Sequence, residues 1–312
     1  MYFKGKNVLV TGGAGVIGRE LIKELCNLKA NVICIDKALR PDDISSEVQY
    51  IQKNILDLNT NEIVQSDPEI IFHLAATFER IEETPEFWDE NFNDNILVGH
   101  KVVDAAIKCK SLKKFIFPSS YLVYSFNDYL NEKAFVSAQK LHETDYVNPR
   151  NLIGSSKYYT EKELDYVNIV FGNFITVSAR IFRVYGCGSK DIISRWIRAA
   201  INEEELVLYQ KENIFDYIYA GDVAKGLIKM AETIEKNDVI NLGTGNSRKV
   251  EEVINLIKMQ FKDAKINEIK KDLPYEGSCA DISKLEATTN WHPNISLEEG
   301  IEKVINYEIH MQ

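Results

Sequence analysis

The segment 150–164, with the sequence RNLIGSSKYYTEKEL, contains two lysines that could take part in catalysis. Lys162 lies four residues after Tyr158, and Lys157 lies four residues after Ile153. Residues four apart share a helix face. A lysine ammonium beside a phenol lowers the pKa of that phenol, which makes it a usable general base. The segment therefore predicts an active-site lysine, but spacing alone does not say which one.

A glycine-rich turn follows the first apolar run, in NVLVTGGAGVIGRELI (7–22). Gly12 would permit the tight turn, Gly15 the approach of a pyrophosphate to the backbone, and Gly18 close packing of helix on strand. The next helix would offer amides and its positive dipole end to the phosphates. An ordinary glycine-rich turn is the alternative, but this context favours a dinucleotide site. The predicted contacts here are Gly12, Gly15, Val16 and Ile17.

Asp36 ends the next apolar run, at about the 20-residue separation that a dinucleotide fingerprint requires. A carboxylate at this point accepts hydrogen bonds from the adenosine ribose and repels a 2′-phosphate. The sequence therefore favours NAD over NADP as the cofactor. Lys37 and Arg40 lie close to Asp36 and keep NADP open as the alternative.

Short apolar runs alternate with helical patterns through the first half of the chain. This alternation predicts an α/β fold with a Rossmann-type, doubly wound parallel sheet. The predicted strands are 7–10, 32–35, 70–75, 114–120 and 174–182, and the predicted helices are 16–28, 86–110 and one beginning near Gly154. The irregular pattern after residue 185 indicates a smaller, interleaved C-terminal substrate-binding region. We predict a cofactor-binding domain over 1–182, with 216–246 returning to it, and a substrate-binding region over 183–215 and 247–312.

Composition excludes several classes of partner. With 37 basic and 47 acidic residues among 312, the net charge is −10, which argues against binding to nucleic acid or anionic membranes. The five cysteines show no C-x-x-C spacing, and we expect reduced thiols in a cytoplasmic protein. Residues 1–10 lead directly into a strand, so we expect no signal peptide. No apolar run reaches the ~18–20 residues of a membrane helix, and we predict no metal site.

Several blocks together resemble the extended short-chain dehydrogenase/reductase family, in its nucleotide-sugar epimerase and dehydratase group. They are TGGAGVIG (11–18), KNILDL (53–58), FHLAA (72–76), FIFPSSYLVYS (115–125), RIFRVYGCG (180–188), IFDYIYAGDVAKG (214–226), NLGTGNSRKVEEV (241–253) and NWHPNISLEEGI (290–301). The resemblance spans nearly the whole chain. It implies further cofactor contacts at Asn54, Ile55, Leu74, Ala75, Ala76 and Asn95, and it places Ser120 at the catalytic Ser/Thr position.

The same resemblance selects one lysine. The family's helix reads Y-x-x-[ST]-K-x-x-x-E, and Gly154, Ser156 and Glu161 together align Lys157 with its lysine. Ile153 then stands where the family has its catalytic tyrosine. On a helix Tyr158 is turned by about 100° from Lys157, so we predict that Lys157 faces the cofactor and that the Tyr158–Lys162 pair packs elsewhere.

The missing tyrosine leaves proton transfer without its usual phenol. Glu79 and Tyr121 are the candidate substitutes, and Ser120, a poor base by itself, would orient the sugar hydroxyl. Bound water or neutral Lys157 is the alternative base if neither Glu79 nor Tyr121 takes the proton. We rank Glu79 above Tyr121 because a carboxylate is already ionised and partial burial would raise its pKa toward neutrality. A surface Glu79–Arg80 ion pair and a Tyr121 side chain packed in a loop are the plainer alternatives.

The sequence departs from the family elsewhere on the substrate side. Tyr121 and Leu122 follow Ser120, where dehydratases and decarboxylases carry an acid. Arg183 replaces the family's asparagine, and Phe215 replaces its phosphate-binding arginine. We expect Arg183 to take over part of the diphosphate binding. The predicted substrate contacts are Thr77, Arg80, Ser120 and Arg183.

The leading hypothesis is an NAD-dependent enzyme that modifies a nucleotide-diphosphate sugar through a transient keto-sugar and returns the hydride. The loss of tyrosine and the Glu79–Arg80 segment resemble atypical dehydratases, including those that act on UDP-N-acetylglucosamine. A UDP-hexose 4-epimerase is the alternative within the class, and a catalytically impaired NAD-binding regulatory protein is the alternative outside it. By resemblance, helices over 97–110 and 154–170 would pair two subunits into a homodimer.

Overall fold

The computed structural model describes residues 2–79, 83–269 and 273–311. The strands are β1 (Asn7–Thr11), β2 (Asn31–Asp36), β3 (Gln49–Gln52), β4 (Ile70–His73), β5 (Lys114–Ser120), β6 (Leu130–Asn131), β7 (Gln139–Leu141), β8 (Ile175–Ile181), β9 (Arg183–Tyr185), β10 (Leu206–Tyr209), β11 (Ile214–Phe215), β12 (Tyr217–Tyr219), β13 (Asp238–Leu242), β14 (Arg248–Lys249), β15 (Ile266–Ile269) and β16 (Tyr275–Ala280). The α-helices are α1 (Val16–Asn27), α2 (Thr60–Gln65), α3 (Pro85–Asn91), α4 (Val98–Lys108), α5 (Phe126–Tyr129), α6 (Leu152–Val170), α7 (Ile192–Ile201), α8 (Ala220–Thr233), α9 (Val250–Gln260), α10 (Ser283–Thr289) and α11 (Leu297–His310).

The centre of the molecule is a seven-stranded sheet in the order β13-β8-β5-β4-β1-β2-β3. Every neighbouring pair in it is parallel. Its strands bear apolar side chains on both faces because helices cover both sides. Val10 faces a core formed with α1 and α8, and Leu9 faces a core formed with α2, α4 and α6. The predicted Rossmann-type sheet is confirmed, with strand bounds within a few residues of those expected.

A smaller group of elements packs at the carboxyl ends of these strands. In this group β10 pairs with β15, and β11 lies between β14 and β16. A third apolar core joins Ile197 on α7, Ile254 on α9 and Val304 on α11. The chain returns to the main sheet at β13 between two visits to this group. The exact domain division proposed above stays a prediction.

The predicted single helix over 86–110 consists of three segments. A π-helix over Phe92–Leu97 connects α3 to α4. A π-helix bonds each residue to the fifth along and inserts one residue into the helical repeat. Asn95 in this segment is buried, and its side-chain oxygen accepts from the backbone amide of Thr77 at 2.8 Å. The polar and apolar pattern of the segment carries no sign of the insertion, so the sequence predicts a continuous helix.

The structure adds two negative findings to the compositional argument. In the described ranges, no helix combines the length and apolar character needed to cross a membrane. All five cysteines are free thiols.

Candidate active site

The glycine-rich turn connects β1 to α1 and has almost no room for side chains. Gly12 has φ +73°, and a Cβ added there would lie 2.5 Å from the backbone nitrogen of Ala75. A Cβ on Gly18 would lie 2.5 Å from the carbonyl oxygen of Gly12, whereas one on Gly15 would come no closer than 3.4 Å to it. No described side chain caps the N-terminus of α1. The turn can therefore bring backbone amides against an anionic group, as a pyrophosphate site requires.

Asp36 lies at the end of β2 beside this turn. Its carboxylate accepts hydrogen bonds from the backbone nitrogens of Ala14 and Ala38, both at 2.8 Å. The nearby cations are engaged elsewhere: Lys37 pairs with Asp94 at 2.6 Å, and Arg40 donates to backbone carbonyls over residues 44–48. A ribose 2′-phosphate here would meet the Asp36 carboxylate without an uncommitted cation at Lys37 or Arg40. The geometry favours NAD over NADP.

The other predicted cofactor contacts lie along the same edge of the sheet. Asn54 caps a 3₁₀ turn by accepting from the backbone nitrogen of Leu56 at 3.0 Å, and Ile55 is buried under it. The loop after β4 passes directly by the glycine turn, where the backbone nitrogen of Ala75 donates to Thr11 Oγ1 at 3.3 Å. Its neighbours Leu74 and Ala76 are partly buried and exposed, respectively. The arrangement fits an adenosine-side and a ribose-side contact surface.

Lys157 and Lys162 differ sharply in position. Lys157 Nζ reaches from α6 to the carbonyl oxygen of Pro118 on β5 at 2.7 Å. Burial lowers the pKa of Lys157 to about 8, although Glu161 acts in the opposite direction. Lys162 is 56% exposed, pairs with Asp165 at 2.8 Å and lies 5.4 Å from the ring of Tyr158. Lys157 thus lies over β5, whereas Lys162 of the literal Y-x-x-x-K is exposed; that Lys157 is the functional lysine stays a prediction.

A buried ion pair fixes the helix that carries Lys157. Glu161, one turn further along α6, accepts from Arg180 Nη2 at 2.8 Å and Nε at 3.1 Å. Ser119 Oγ on β5 donates to the same carboxylate at 2.5 Å. Because Arg180 belongs to β8, this contact holds α6 against two neighbouring strands. The register of Lys157 over β5 follows from it.

Ile153 is buried one turn before Lys157. It belongs to an apolar cluster with Tyr121, Tyr129 and Phe182. Gly154 follows it where the helix passes very close to the 3₁₀ turn after β5: a Cβ there would come too near the carbonyl oxygen of Leu122. In the described part of this face, no phenol occupies the position where the family resemblance implies a tyrosine.

Four charged side chains meet beside Tyr121, whose hydroxyl bonds to one of them, and we call Glu79, Arg150, Arg183 and Glu276 the arginine–glutamate cluster. Each arginine contacts both glutamates, at distances between 2.5 and 3.2 Å. Asn151 Nδ2 adds a bond to Glu79 at 2.7 Å. The four formal charges cancel. The cluster unites the loop after β4, the start of α6, β9 and β16.

This cluster overturns the expected chemistry of Glu79. Burial alone would raise the pKa of Glu79, but Arg183 and Arg150 outweigh it and hold that pKa below its usual value. The expected rise toward neutrality is wrong, because the carboxylate is stabilised by two guanidinium groups. Glu79 is ionised but is a weak proton acceptor. Its expected neighbour Arg80 lies outside the described residues.

Tyr121 is equally unsuited to act as a phenolate. Its hydroxyl donates to Glu276 at 2.8 Å, and its ring stacks on Phe182 at 5.1 Å. Burial raises the pKa of Tyr121 well above its usual value, and the favourable charge of Arg183 does not compensate. Ser120 stands at the other side of the strand end, where its Oγ accepts from the backbone nitrogen of Leu122 at 3.2 Å. The plainer interpretation, a tyrosine packed in a loop, describes its surroundings better.

Two predicted substrate contacts have partners within the chain. Both terminal nitrogens of Arg183 bond to glutamates, and its guanidinium lies 4.6 Å from the ring centre of Phe215. Its charge is thereby neutralised, which weakens the argument for a diphosphate role. Thr77 is buried, with its hydroxyl donating to Glu90 at 2.7 Å.

Sequence reasoning missed Arg150 and Glu276. Arg150 begins the very segment that contains both lysines, but no spacing rule connects it to Glu79, 71 residues earlier. Glu276 lies on β16 outside every motif quoted above. Both are buried charged residues, and a charge at a strand or helix end in an apolar setting was the only available signal.

Comparisons with known proteins agree with this geometry. The sequence model of the NAD dependent epimerase/dehydratase family matches residues 8–243. A Methanocaldococcus jannaschii protein predicted to be a UDP-glucose 4-epimerase is 28% identical, over 96% of this chain and 97% of that protein. The UDP-N-acetyl-alpha-D-glucosaminuronate decarboxylase of Bacillus cytotoxicus is 26% identical, over 97% of each chain.

A solved structure matches just as completely. The UDP-glucuronic acid 4-epimerase from Bacillus cereus, in complex with UDP-glucuronic acid and NAD, has a TM-score of 0.86 and 25% identity. The match covers 98% of this chain and 100% of that one. The resemblance deduced from the motifs is confirmed. The chain is an enzyme of the NAD dependent epimerase/dehydratase family, and its cofactor is NAD.

Proposed function

We propose that the chain oxidises and then re-reduces one carbinol carbon of a nucleotide-diphosphate sugar, with epimerisation at that carbon as the net result. The observation that carries the proposal is the meeting of two sets of residues at one sheet edge. The glycine turn, Asp36 and Lys157 form the cofactor side, and Ser120 with the arginine–glutamate cluster forms the other. Ligands of α/β proteins bind beyond the carboxyl ends of the strands, where both sets lie.

The cofactor side fits NAD in its details. The uncapped start of α1 and the turn at Gly12 would hold the pyrophosphate, and Asp36 the adenosine ribose. When bound, NAD supplies the acceptor and the donor of the hydride. Lys157 would bind the nicotinamide-side ribose. What the protein must add is an acceptor for the proton of the sugar hydroxyl.

Lys157 is the best-supported proton acceptor. Glu79 and Tyr121 are disfavoured by their partners, and His73, although close to Lys157, is buried with its pKa lowered to about 3. The pKa of Lys157, about 8, leaves a substantial neutral fraction near pH 7–8. A neutral Nζ takes the hydroxyl proton as the C=O bond forms and returns it when the carbonyl is reduced. Ser120 would orient the sugar hydroxyl toward Lys157.

Epimerisation needs fewer groups than dehydration. Re-reduction of the keto-sugar from its other face requires one proton carrier, which Lys157 supplies. Elimination of water requires a second base for the C–H bond and an acid for the departing hydroxyl. Dehydration is the second candidate because Glu79, 26% exposed, presents an ionised carboxylate at the same edge.

Incubation with NAD and a panel of UDP-, GDP-, CDP- and dTDP-sugars tests the proposal. An unchanged mass with a new NMR pattern would support epimerisation, and a mass loss of one water would reveal dehydration. Binding of NAD with no turnover of any sugar would instead favour the non-catalytic regulatory protein. Two matched variants identify the functional lysine. Lys157→Ala should reduce turnover by orders of magnitude, and Lys162→Ala should leave it unchanged.

We also propose a homodimer formed through α4 and α6. The outer face of α6 exposes Tyr159, Tyr166 and Ile169, the last at 83%. Exposed apolar residues that share one surface suit a two-fold interface between identical helices. Light scattering at micromolar concentration should give twice the chain mass of 35.7 kDa. A monomeric mass would contradict the assembly without bearing on the reaction.

A further inference from the structure

The arginine–glutamate cluster is a closed, charge-balanced ring. Arg150 donates to Glu276 at 2.5 Å and to Glu79 at 2.8 Å, and Arg183 donates to Glu79 at 3.1 Å and to Glu276 at 3.2 Å. Two positive charges therefore face two negative ones. Both guanidinium forks are already occupied by carboxylates of the chain itself.

The ring has an inner and an outer half. The side chains of Glu276 and Arg150 are 5% and 15% exposed, whereas those of Glu79 and Arg183 are 26% and 30% exposed. The outer pair lies where a ligand beyond the strand ends would meet it, since Glu79 follows β4 and Arg183 follows β8. The guanidinium of Arg183 also lies over the ring of Phe215, 4.6 Å from its centre. The ring therefore offers a rigid surface with one acceptor and one donor.

Charge balance decides which sugars such a surface tolerates. A carboxylate on the sugar would place a third negative group against two guanidinium groups, or would have to displace Glu79 from both of them. Glu79 is tethered, so it competes as an intramolecular ligand. A hydroxyl or acetamido group brings no charge, and it can donate to Glu79 and accept from Arg183. Like-charge contact with an undesired ligand is an established route to specificity.

We propose that the arginine–glutamate cluster is a specificity-determining subsite that accepts an uncharged hexose or N-acetylhexosamine and rejects the corresponding uronic acid. This inference rests on the proposed function, because it assumes a nucleotide-diphosphate sugar at the site. Family membership leaves the choice open: one relative above is named for UDP-glucose, and two for uronic acid sugars. Glu79 is the residue that makes the difference, since it neutralises the exposed arginine.

Calorimetry on the NAD-loaded protein with matched sugar pairs tests the inference. UDP-glucose against UDP-glucuronate and GDP-mannose against GDP-mannuronate differ at one carbon, which bears a neutral hydroxymethyl group in the first of each pair and a carboxylate in the second. UDP and GDP alone report the nucleotide contribution. We expect the neutral sugar to bind at least about 10-fold more tightly within the pair that binds. Equal or tighter binding of the uronate would overturn the inference alone. Failure of every nucleotide and sugar to bind would overturn the proposed function and the inference with it.

A pair of variants assigns the effect to one carboxylate. Glu79→Gln removes a charge from the ring, and Glu83→Gln is the matched control, because Glu83 is exposed and contacts only the backbone nitrogen of Leu152 among its described bonds. Glu79→Gln should shift the uronate-to-hexose affinity ratio at least about 5-fold toward the uronate, and Glu83→Gln should leave it unchanged. An unchanged ratio in Glu79→Gln, with NAD affinity retained, would overturn the assignment. If Glu79→Gln does not fold, Glu79→Asp keeps the charge and should keep the wild-type preference.

Discussion

Replacing Lys157 by methionine should stabilise the cofactor-free fold while it abolishes turnover. Lys157 is partly buried where α6 packs on β5, and its amine donates to the carbonyl oxygen of Pro118. Burial lowers its pKa from 10.5 to about 8, against the opposing effect of Glu161. A lowered lysine pKa means that the folded state holds the ammonium less favourably than water does.

The size of this penalty follows to order of magnitude from the shift in pKa. Each pH unit between the folded and unfolded pKa is worth about 1.36 kcal/mol, so the charged lysine costs the folded state roughly 3 kcal/mol. Methionine has a similar length and no charge. The methionine side chain cannot donate a hydrogen bond to Pro118, and this loss cancels about 1 kcal/mol of the gain in stability. The variant should therefore gain about 2 kcal/mol in free energy of unfolding.

The sign of the pH dependence is a second, independent test. Below pH about 8, Lys157 is protonated in both states and the folded state bears the whole penalty. Between pH about 8 and 10.5 the unfolded chain keeps the proton that the folded chain has lost, so wild-type stability rises with pH. The advantage of the methionine variant should be greatest below pH 8 and should disappear near pH 10.5.

Urea denaturation of the NAD-free protein at several pH values measures both effects. Removal of NAD matters, because a ligand that binds only the folded state would stabilise the wild type selectively. Lys162→Met is the matched control: that lysine is 56% exposed, so its replacement should change stability by no more than about 0.5 kcal/mol. A Lys157→Met variant less stable than the wild type by more than about 1 kcal/mol, or an advantage that grows with pH, would refute the reasoning.

Three further predictions concern the cofactor side and its support. Asp36→Ala should weaken the binding of NAD and reduce the preference of the protein for NAD over NADP, which calorimetry measures. If the wild type bound NADP more tightly than NAD, the predicted cofactor specificity would be contradicted. Gly12→Val should abolish NAD binding in equilibrium dialysis, because Gly12 has φ +73° and a Cβ there would lie 2.5 Å from the backbone nitrogen of Ala75. A normal affinity for NAD would show that the turn can adapt to a side chain. Glu161→Ala should destabilise by about 3–5 kcal/mol in urea, because it leaves Arg180 buried and unpaired; a loss below about 1 kcal/mol would mean that water replaces the carboxylate.

The sheet and the cofactor side could be predicted because their signals are local. Each strand of the sheet is a short apolar run, and the turn at Gly12 combines a positive φ with a close backbone approach that a side chain would block. The alignment of Lys157 with the family's lysine needed only three nearby residues, Gly154, Ser156 and Glu161. Such features depend on a few consecutive positions and on general rules of backbone geometry.

The chemistry of the substrate side could not be predicted in the same way. The pKa of Glu79 depends on Arg150 and Arg183, which lie 71 and 104 residues away along the chain. A single sequence carries no record of which distant charges meet. Burial was foreseen for Glu79, but its effect was reversed by partners that only the folded chain brings together. The same holds for Tyr121, whose hydroxyl is bonded to a glutamate 155 residues away.

Three positions at which the motif resemblance implies a departure from the family pattern lie close to one another in the structure. Ile153, Arg183 and Phe215 are far apart in sequence, yet they join one contact network. Arg183 lies 4.6 Å from the ring centre of Phe215 and 5.6 Å from that of Tyr121, and Tyr121 packs in the same apolar cluster as Ile153. We interpret these mutual contacts as those of one surface, on the side predicted for the substrate and apart from the cofactor contacts predicted at Gly12, Asp36 and Lys157.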